Sequence, residues 1–338
     1  MRYRVVHRSV CAYAAPVEGA LHAAFARPRS FESSWRTQRC LRHGLRVEPE
    51  PDALHEEPDA WGNHRTLFEV PRPHRELRVT ADSLVDVCSP PPPDAATLAA
   101  SLPWEAVAAS AAAGRSPAGQ AVLEQAIPTA RTPPSAALRA YARESFTPGR
   151  PVAAAAVELS RRVFADFDYD PAATDLSTPV AEVFERRAGV CQDFAHLALA
   201  MLRGLGLPAR YVSGYVRTGS GAAEGDAEEG LIGSDASHAW LAVHLGSDGG
   251  EDLGWLDVDP TNAKVAGEEH LTLAWGRDYA DVSPLKGVLV GGGRHDVRVQ
   301  VAVRPVAEGG SPASLRDRPA PRGGEAPEGR AGRPAAPA

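Results

Sequence analysis

The sequence predicts an α+β fold, and three patterns along the chain support this class. Residues 1 to 88 alternate between apolar and polar positions in short runs, which is typical of strands. Residues 151 to 205 carry apolar stripes at helical spacing. Residues 237 to 260 return to strand alternation on both sides of a Gly-, Ser- and Asp-rich loop, which predicts a β-hairpin. Blocks of strands and helices in sequence, rather than in alternation, are characteristic of the α+β class.

The composition divides the chain into four regions. Turn residues such as Pro16 and Pro49 separate the first strands, so we expect a small β-sandwich over residues 1–88. Prolines 90–93 form a stiff boundary, and the Ala-rich residues 94–150 predict linker helices, one of them over 135–145. Residues 151–304 form the main α+β region, with a loop over 278–293 and a final strand over 297–303. Residues 305–338 are rich in Pro, Gly, Ala and Arg and predict a disordered tail.

One cysteine stands where a turn becomes a helix. Thr178 and Pro179 predict the start of one helix and Gly189 its end, and a new apolar stripe follows from Phe194 onward. Cys191 falls in the first turn of this second helix, where the helix dipole and unpaired backbone N–H groups stabilise a thiolate. Cys191 is also in register with the apolar stripe, so a buried core cysteine is the alternative interpretation.

The hairpin downstream presents a histidine and two aspartates. If its loop covers residues 246–251, counting outward places His238 opposite Asp259 and Trp240 opposite Asp257. Side chains of directly opposite residues have Cβ atoms about 4.5 to 5.5 Å apart. These four side chains share one face of the hairpin, and the other face is apolar.

Cys191, His238 and Asp259 form the set that catalysis by a thiol requires. The thiol is the nucleophile, the imidazole accepts its proton, and the carboxylate fixes the tautomer and stabilises the imidazolium. A lone histidine on a strand is usually structural, and the residues around Asp259 alone could form a turn, so the combination favours the catalytic interpretation. The hairpin count favours Asp259 over Asp257, although a two-residue slip would exchange them and keep the face.

At these residues the chain resembles the transglutaminase-like superfamily, specifically its bacterial transglutaminase-like enzymes and cysteine proteases. The resemblance covers about the first 304 residues. It rests on four motifs that occur in order: Arg187-Ala188-Gly189-Val190-Cys191-Gln192-Asp193-Phe194-Ala195, the segment from Leu202 to Tyr215, Ser237-His238-Ala239-Trp240, and Gly254-Trp255-Leu256-Asp257-Val258-Asp259-Pro260-Thr261-Asn262.

The resemblance implies a papain-like core, in which the cysteine-bearing helix packs on an antiparallel sheet that carries the histidine and the aspartate. The catalytic residues of the family fall on Cys191, His238 and Asp259, in agreement with the hairpin count. The amino-terminal β region is similar to the region that precedes the catalytic domain in these bacterial proteins. Four of its residues fall on recurring positions, and we interpret them as turn and packing residues: His7, Asp59, Gly62 and Asn63.

The expected chemistry is acyl transfer or hydrolysis on amide substrates, of the peptide or glutamine type. The Cys191 thiolate attacks the carbonyl, His238 protonates the leaving group, and an acyl-enzyme forms. The backbone N–H of Cys191 is the first oxyanion donor, and the side chains of Gln192 and Tyr169 are candidates for the second. Residues 218–234 are Gly-, Ala- and acid-rich and predict a mobile loop beside the site.

Charge and cysteine usage narrow the expected partners. A formal charge of −7 and a pI near 5.9 give no reason to expect nucleic acid or a membrane surface, so we expect a protein or peptide amide substrate. The chain has no apolar run of about 18 to 20 residues and no apolar signal-peptide core at Met1 to His7, so we expect a cytoplasmic location. The four cysteines are too scattered for a disulfide framework or a zinc site. We expect neither metal nor cofactor, despite the ligand-like spacing of His7 with Cys11 and of Cys40 with His43.

Two other function classes are open at this stage. The first is a scaffold or binding module that keeps the fold without catalysis, which the presence of all three candidate residues disfavours. The second is arylamine acetyl transfer, which is related by fold. Its usual Arg-Gly-Gly before the cysteine appears here as Arg187-Ala188-Gly189, and the long amino-terminal β region does not suit it.

Overall fold

Antiparallel strands fill the amino-terminal part of the chain, helices follow, and a second antiparallel sheet precedes the last strands. A computed structural model describes residues 1–217, 237–246 and 254–306, and the α+β class is confirmed. The strands are β1 (Arg2–Ala24), β2 (Phe31–Glu32), β3 (Thr37–Glu48), β4 (Leu54–Pro58), β5 (His64–Val70), β6 (His74–Cys88), β7 (Asp168–Tyr169), β8 (Ala188–Gly189), β9 (Ala209–Val216), β10 (Ser237–His244), β11 (Trp255–Asp259), β12 (Lys264–Val265), β13 (His270–Gly276), β14 (Leu285–Gly291) and β15 (His295–Pro305). The helices are α1 (Ala95–Ala99), α2 (Trp104–Ala113), α3 (Pro117–Glu124), α4 (Ala136–Ser145), α5 (Val152–Asp166), α6 (Val180–Arg186), α7 (Cys191–Gly204) and α8 (Tyr279–Val282).

The long strand β1 organises the amino-terminal sheet. Its first half pairs with β6 and β15, and its second half pairs with β5 and β14. A register irregularity between Ala12 and Val17 separates the two halves. Residues 1–88, which were expected to form a small β-sandwich, are built mainly from strands, and these belong to a single hydrogen-bonded sheet of eight strands whose partners change along β1.

The end of the described chain returns to this amino-terminal sheet. The segment 278–293, which was expected to be a loop, contains α8 and the strand β14. The final strand expected over 297–303 is present as β15, and it pairs with β1 from Tyr3 to Tyr13 rather than with the second sheet. Of the expected tail, Pro305 ends β15, and residues 307–338 lie outside the described residues.

The helices expected over residues 94–150 pack into the main core instead of forming a loose spacer. The expected helix over 135–145 is α4, which Ser135 caps through its side chain. Leu98, Val107 and Leu138 from this region belong to the same buried cluster as the apolar residues of α7. The region therefore forms part of the layer that covers the cysteine-bearing helix.

The second sheet has five strands in the order β12-β11-β10-β9-β13, and α7 packs against β9 and β10. The predicted apolar face of the hairpin forms the contact surface with α7. Its members lie in one buried cluster with the helix residues Leu197, Leu199 and Met201: Ala239, Leu241, Val243, Leu256 and Val258. The opposite face of the sheet, with Trp240 and Trp255, packs in a separate buried cluster.

The register predicted for the hairpin is wrong by two residues. Leu241 pairs with Val258 and Val243 with Leu256, whereas the prediction paired Leu241 with Leu256. The cause is a longer connection than assumed, because the backbone N–H of Leu245 donates to the carbonyl of Gly254 and the strands therefore meet two residues later on the return strand. A slip of two residues keeps every side chain on its face, so the assignment of faces holds.

Gly214 marks a position in β9 where a side chain does not fit. It pairs with His238, and an added Cβ would lie 2.2 Å from the Leu271 carbonyl oxygen and 2.5 Å from the Trp240 ring. The neighbouring strands can approach this closely only because the residue is glycine.

We predict that Gly214→Ala destabilises the protein by about 2 kcal/mol or more, because either Trp240 or the β9–β13 pairing must move. Denaturant unfolding followed by tryptophan fluorescence measures this change. Gly44→Ala is the matched control, since Gly44 also lies within a strand and an added Cβ there meets nothing within 4 Å. Equal stability of the two variants would contradict the packing argument.

Candidate active site

The turn before Cys191 is built differently from the prediction. The helix α6 begins after Pro179 and ends at Arg186, and its capping residue Arg187 has a left-handed backbone with φ 55°. Gly189, which was predicted to close this helix, instead lies in the short strand β8, paired in parallel with β7. Glycine is required there because a Cβ would lie 2.8 Å from a carboxylate oxygen of Asp193. The helix α7 then begins at Cys191 as predicted.

Asp193 holds this turn in place. Its Oδ2 atom accepts a hydrogen bond from the backbone N–H of Val190 at 2.9 Å and one from the Thr174 hydroxyl at 2.6 Å. Burial raises the pKa of Asp193, and these two hydrogen bonds oppose that rise. Sequence reasoning missed this residue as a support of the site, although an acidic residue at the third position of a helix is a recognisable capping signal.

The structure brings Cys191, His238 and Asp259 together. The Nε2 atom of His238 lies 2.8 Å from Oδ2 of Asp259, and the His238 side chain is only 7% exposed. This contact leaves Nδ1 as the other ring nitrogen, and the thiol of Cys191 lies close enough to the imidazole to influence its pKa. Burial disfavours the charged imidazole, but the hydrogen bonds and charges of Asp259 and Cys191 outweigh burial and raise the pKa of His238 to about 10.

Asp259 is fully buried and accepts five hydrogen bonds. Its Oδ1 atom accepts from the backbone N–H groups of Thr261 and Asn262. Its Oδ2 atom accepts from His238, from the side-chain amide of Asn262 at 2.7 Å, and from Nε2 of His270 at 3.1 Å. Burial alone would raise the pKa of Asp259, but these hydrogen bonds and the two histidines hold that pKa far below its usual value.

The contact between Asp259 and His238 does not arise from the strand pairing that was predicted. The strands β10 and β11 pair from Leu241 to His244, so His238 lies beyond the paired residues and approaches Asp259 diagonally from the end of β10. Neighbours on a diagonal lie about 7 to 8 Å apart at Cα, still within reach of long side chains. The aspartate that the sequence favoured is therefore the one that contacts the imidazole, although the pairing behind that preference was wrong.

Asp257, the alternative aspartate, is occupied by another partner. It forms a buried ion pair with Arg36, which comes from the segment between β2 and β3 of the amino-terminal sheet. The Arg36 guanidinium also donates to the carbonyl of His270 at 2.6 Å and to the hydroxyl of Thr272 at 2.8 Å. Nothing local in the sequence marks this contact, which joins residues 221 positions apart.

The two weaker candidates, Tyr169 and Gln192, flank the turn that carries Cys191. Tyr169 is in β7 beside Gly189, is 53% exposed and packs edge-on against Phe194. Gln192 is the second residue of α7 and is partly buried. Their proposed oxyanion role stays a prediction. The loop expected over 218–234 lies outside the described residues.

His238, Asp259 and His270 are also the one group of potential metal ligands within the described residues, with ligand atoms less than 4.8 Å apart. The hydrogen bonds argue against metal coordination. The backbone N–H of Gly267 donates to Nδ1 of His270, so in the neutral ring the proton is on Nε2, which therefore has no lone pair for a metal. The two histidines with ligand-like spacing in the sequence have other partners. His7 hydrogen-bonds to Tyr215 and Ser9, and His43 hydrogen-bonds to Ser83.

Comparison with known proteins identifies the family. Residues 139–260 match the model of the transglutaminase-like superfamily, and residues 3–86 match that of the bacterial transglutaminase-like N-terminal region. The chain belongs to the transglutaminase-like superfamily. An uncharacterized protein of Mycobacterium tuberculosis (strain ATCC 25618 / H37Rv) is 41% identical over 289 residues, which are 85% of this chain and 87% of that protein. An uncharacterized protein of Mycobacterium leprae (strain TN) is 34% identical over 310 residues, 90% of this chain and 99% of that protein.

A solved structure shows the same fold. It is described as a "putative cysteine protease" from Cytophaga hutchinsonii, and it matches with a TM-score of 0.63 and 18% identity over 91% of this chain and 92% of that chain. The transglutaminase-like, papain-like fold expected from the sequence is thereby confirmed. Among the described residues, none of the helices is both long enough and apolar enough to span a membrane.

The ion pair between Arg36 and Asp257 should be important for stability. We predict that Asp257→Asn lowers the free energy of unfolding by about 3 kcal/mol, because Arg36 then keeps a buried charge without its counterion. A double-mutant cycle with Arg36→Met measures the coupling by denaturant unfolding. Strictly additive losses in the double variant would contradict a direct pair.

The raised pKa of His238 predicts how stability depends on pH. The folded value of about 10 exceeds the ordinary value of 6.5, so protonation of His238 stabilises the fold fully below pH 6.5, and this contribution is lost as the pH rises through 10. We expect the difference in unfolding free energy between wild type and His238→Gln to shrink by at least about 1 kcal/mol between pH 6 and pH 10. A difference that stays constant or grows over this range would contradict the assigned environment.

Proposed function

We propose that this protein is a thiol enzyme that forms an acyl-enzyme at Cys191 and passes the acyl group to water or to an amine. The observation that carries the proposal is the hydrogen bond of His238 to the buried carboxylate of Asp259, with Cys191 near enough to the imidazole to influence its pKa. Membership of the transglutaminase-like superfamily and the fold of a described cysteine protease support a thiol-dependent role in general. The triad and the amide substrates are our own inference.

In the first half of the reaction, the thiolate of Cys191 attacks the carbonyl carbon of an amide. A C–S bond forms, the C–N bond breaks, and the imidazolium of His238 gives its proton to the departing amine. The raised pKa of His238 suits this step, because the ring is protonated at neutral pH and stabilises the thiolate beside it. The developing oxyanion would be met by the backbone N–H of Cys191 in the first turn of α7, with Gln192 or Tyr169 as candidate second donors.

In the second half, the neutral His238 accepts a proton from the incoming water or amine, which attacks the thioester. The C–S bond breaks and the thiolate is regenerated, with the proton on the imidazole. Water yields a carboxylic acid, and an amine yields a new amide. Asp259 stabilises the imidazolium in both halves and remains ionised throughout.

We propose a protein or peptide amide as the substrate, of the peptide or glutamine type. The expected absence of nucleic-acid and membrane partners and the cytoplasmic location stay predictions.

A scaffold without catalysis is the alternative that the experiment must separate. Such a role would not require a desolvated carboxylate that holds an imidazole against a thiol. Burying a carboxylate costs several kcal/mol unless hydrogen bonds compensate, and Asp259 accepts five of them.

We predict that Cys191 is the cysteine alkylated fastest by iodoacetamide at pH 6 to 7. The His238 imidazolium stabilises its thiolate, whereas burial raises the pKa of Cys11 and of Cys40. Intact-mass kinetics with peptide mapping measures the site and the rate. Cys88→Ala is the control for the exposed cysteine and should leave the fast phase unchanged, while Cys191→Ala removes it. Labelling of Cys88 at the same rate would show that the nucleophile is misassigned.

The substrate class is tested by mass spectrometry of acyl adducts. Wild type and Cys191→Ala are incubated with a panel of glutamine peptides, acyl peptides and simple amides, with and without a primary amine. We expect an adduct on Cys191 and turnover that falls by about 10² to 10⁴ in His238→Ala. Adducts on both variants alike, or normal turnover in His238→Ala, would favour the scaffold.

A further inference from the structure

A second histidine lies directly behind the candidate triad. His270, the first residue of β13, is completely buried. Its Nε2 atom lies 3.1 Å from Oδ2 of Asp259, the same oxygen that meets His238. Its Nδ1 atom accepts a hydrogen bond from the backbone N–H of Gly267 at 3.2 Å. Asp259 therefore lies between two imidazoles.

The hydrogen bond from Gly267 fixes the tautomer of His270. A backbone N–H can only donate, so Nδ1 must be the unprotonated nitrogen and Nε2 must carry the ring proton. The Nε2–H group can only donate to Asp259. His270 therefore presents a donor of fixed direction to the carboxylate, with no conformational choice left.

Burial is the main reason why His270 favours its neutral form. The charged and titratable groups around it are Asp259 on β11, His238 on β10, Glu269 beside it in the chain, and Arg36, which donates to the His270 carbonyl. Burial lowers the pKa of His270, Arg36 and His238 lower it further, and Asp259 opposes them without reversing the result. The Trp240 ring packs against His270 in a T-shaped contact, with 5.3 Å between the ring centroids.

We propose that His270 is a positioning residue that holds Asp259 in the orientation needed to orient His238, so that the site works as a chain of four residues rather than three. The proposal rests on the function proposed above. His270 does not touch the substrate and takes no proton. It keeps the Asp259 carboxylate ionised and turned so that Oδ2 faces the Nε2–H group of His238.

Loss of this donor should weaken catalysis without weakening substrate binding. Asp259 would lose one charge-assisted hydrogen bond and gain freedom to rotate, so the imidazolium of His238 and the Cys191 thiolate beside it become less favourable. A hydrogen bond to an ionised group is worth enough to change a rate about 10- to 100-fold. We therefore expect kcat to fall by about this factor with KM unchanged.

Two amide variants distinguish the effect of the hydrogen bond to Asp259 from the effect of packing by the His270 ring. His270→Gln can place an amide N–H near the position of Nε2, toward Asp259. His270→Asn can replace only Nδ1, toward Gly267, and leaves Asp259 without this donor. Both side chains are uncharged amides, so a merely structural role predicts similar effects for the two.

The closing experiment measures iodoacetamide alkylation of Cys191 against pH in wild type, His270→Gln and His270→Asn, together with kcat and KM. We expect His270→Asn to slow alkylation near neutral pH by about tenfold and His270→Gln to retain most of the wild-type rate. Fast labelling in wild type with equal rates in both variants would overturn the role of His270 alone. Slow labelling of Cys191 in wild type would overturn the proposed function, and this inference with it.

A second measurement needs no variant to fold. The ¹⁵N spectrum of the histidine rings in wild type at pH 7 to 8 should show His270, assigned through its ring-to-backbone correlations, as a neutral Nε2–H tautomer. An Nδ1–H tautomer or an imidazolium would overturn the proposal. A shift of the His270 signals on addition of one equivalent of Zn²⁺ would favour a metal site and would also overturn it.

Discussion

The buried carboxylate of Asp259 is the constraint on which the rest of the site depends. An ionised group without solvent is tolerated only if nearly all its lone pairs are used, and here donors come from three places: β10, the turn after β11 with the side chain of Asn262, and β13. The Asp259 carboxylate can stay buried and ionised only while all of these elements are in place. The geometry that orients His238 and the packing that forms the second sheet are therefore the same set of contacts.

The amino-terminal sheet participates in this arrangement through the edge strand β13. The side-chain amide of Gln38 binds both the N–H and the carbonyl of Thr272, and Asn63 binds both backbone groups of Trp275 in the same way. The Arg36 guanidinium donates to the carbonyl of His270. Side chains from the amino-terminal region thus hydrogen-bond to backbone groups at the outer edge of the second sheet, a role that another strand would otherwise fill. Since β13 also carries His270, the amino-terminal region supports the site and is more than an accessory domain.

The sequence was sufficient for the residues whose positions follow from local periodicity. The start of α7 at Cys191 and the common face of His238 and Asp259 survive a two-residue error in register, because alternation repeats every two residues. The register itself depended on a loop length that local patterns do not determine. Arg36 and His270 could not be found from the sequence alone, since their roles arise from contacts across more than 200 residues in the first case and from a single buried hydrogen bond in the second.

The register of the strands and the partners of the two aspartates both explain which of them contacts the histidine. Asp257 and Asp259 share a face of β11 about 7 Å apart, but Asp257 lies opposite Ala242, four residues from His238, so Asp259 is the nearer carboxylate. Arg36 neutralises Asp257 in a buried ion pair, and a carboxylate so engaged cannot turn to another donor without leaving the guanidinium uncompensated. Asp259 faces only neutral donors and His238, so the imidazolium is its one cationic partner among the hydrogen bonds it accepts. The ion pair with Arg36 is therefore a second reason, beside the register, why Asp257 does not partner His238.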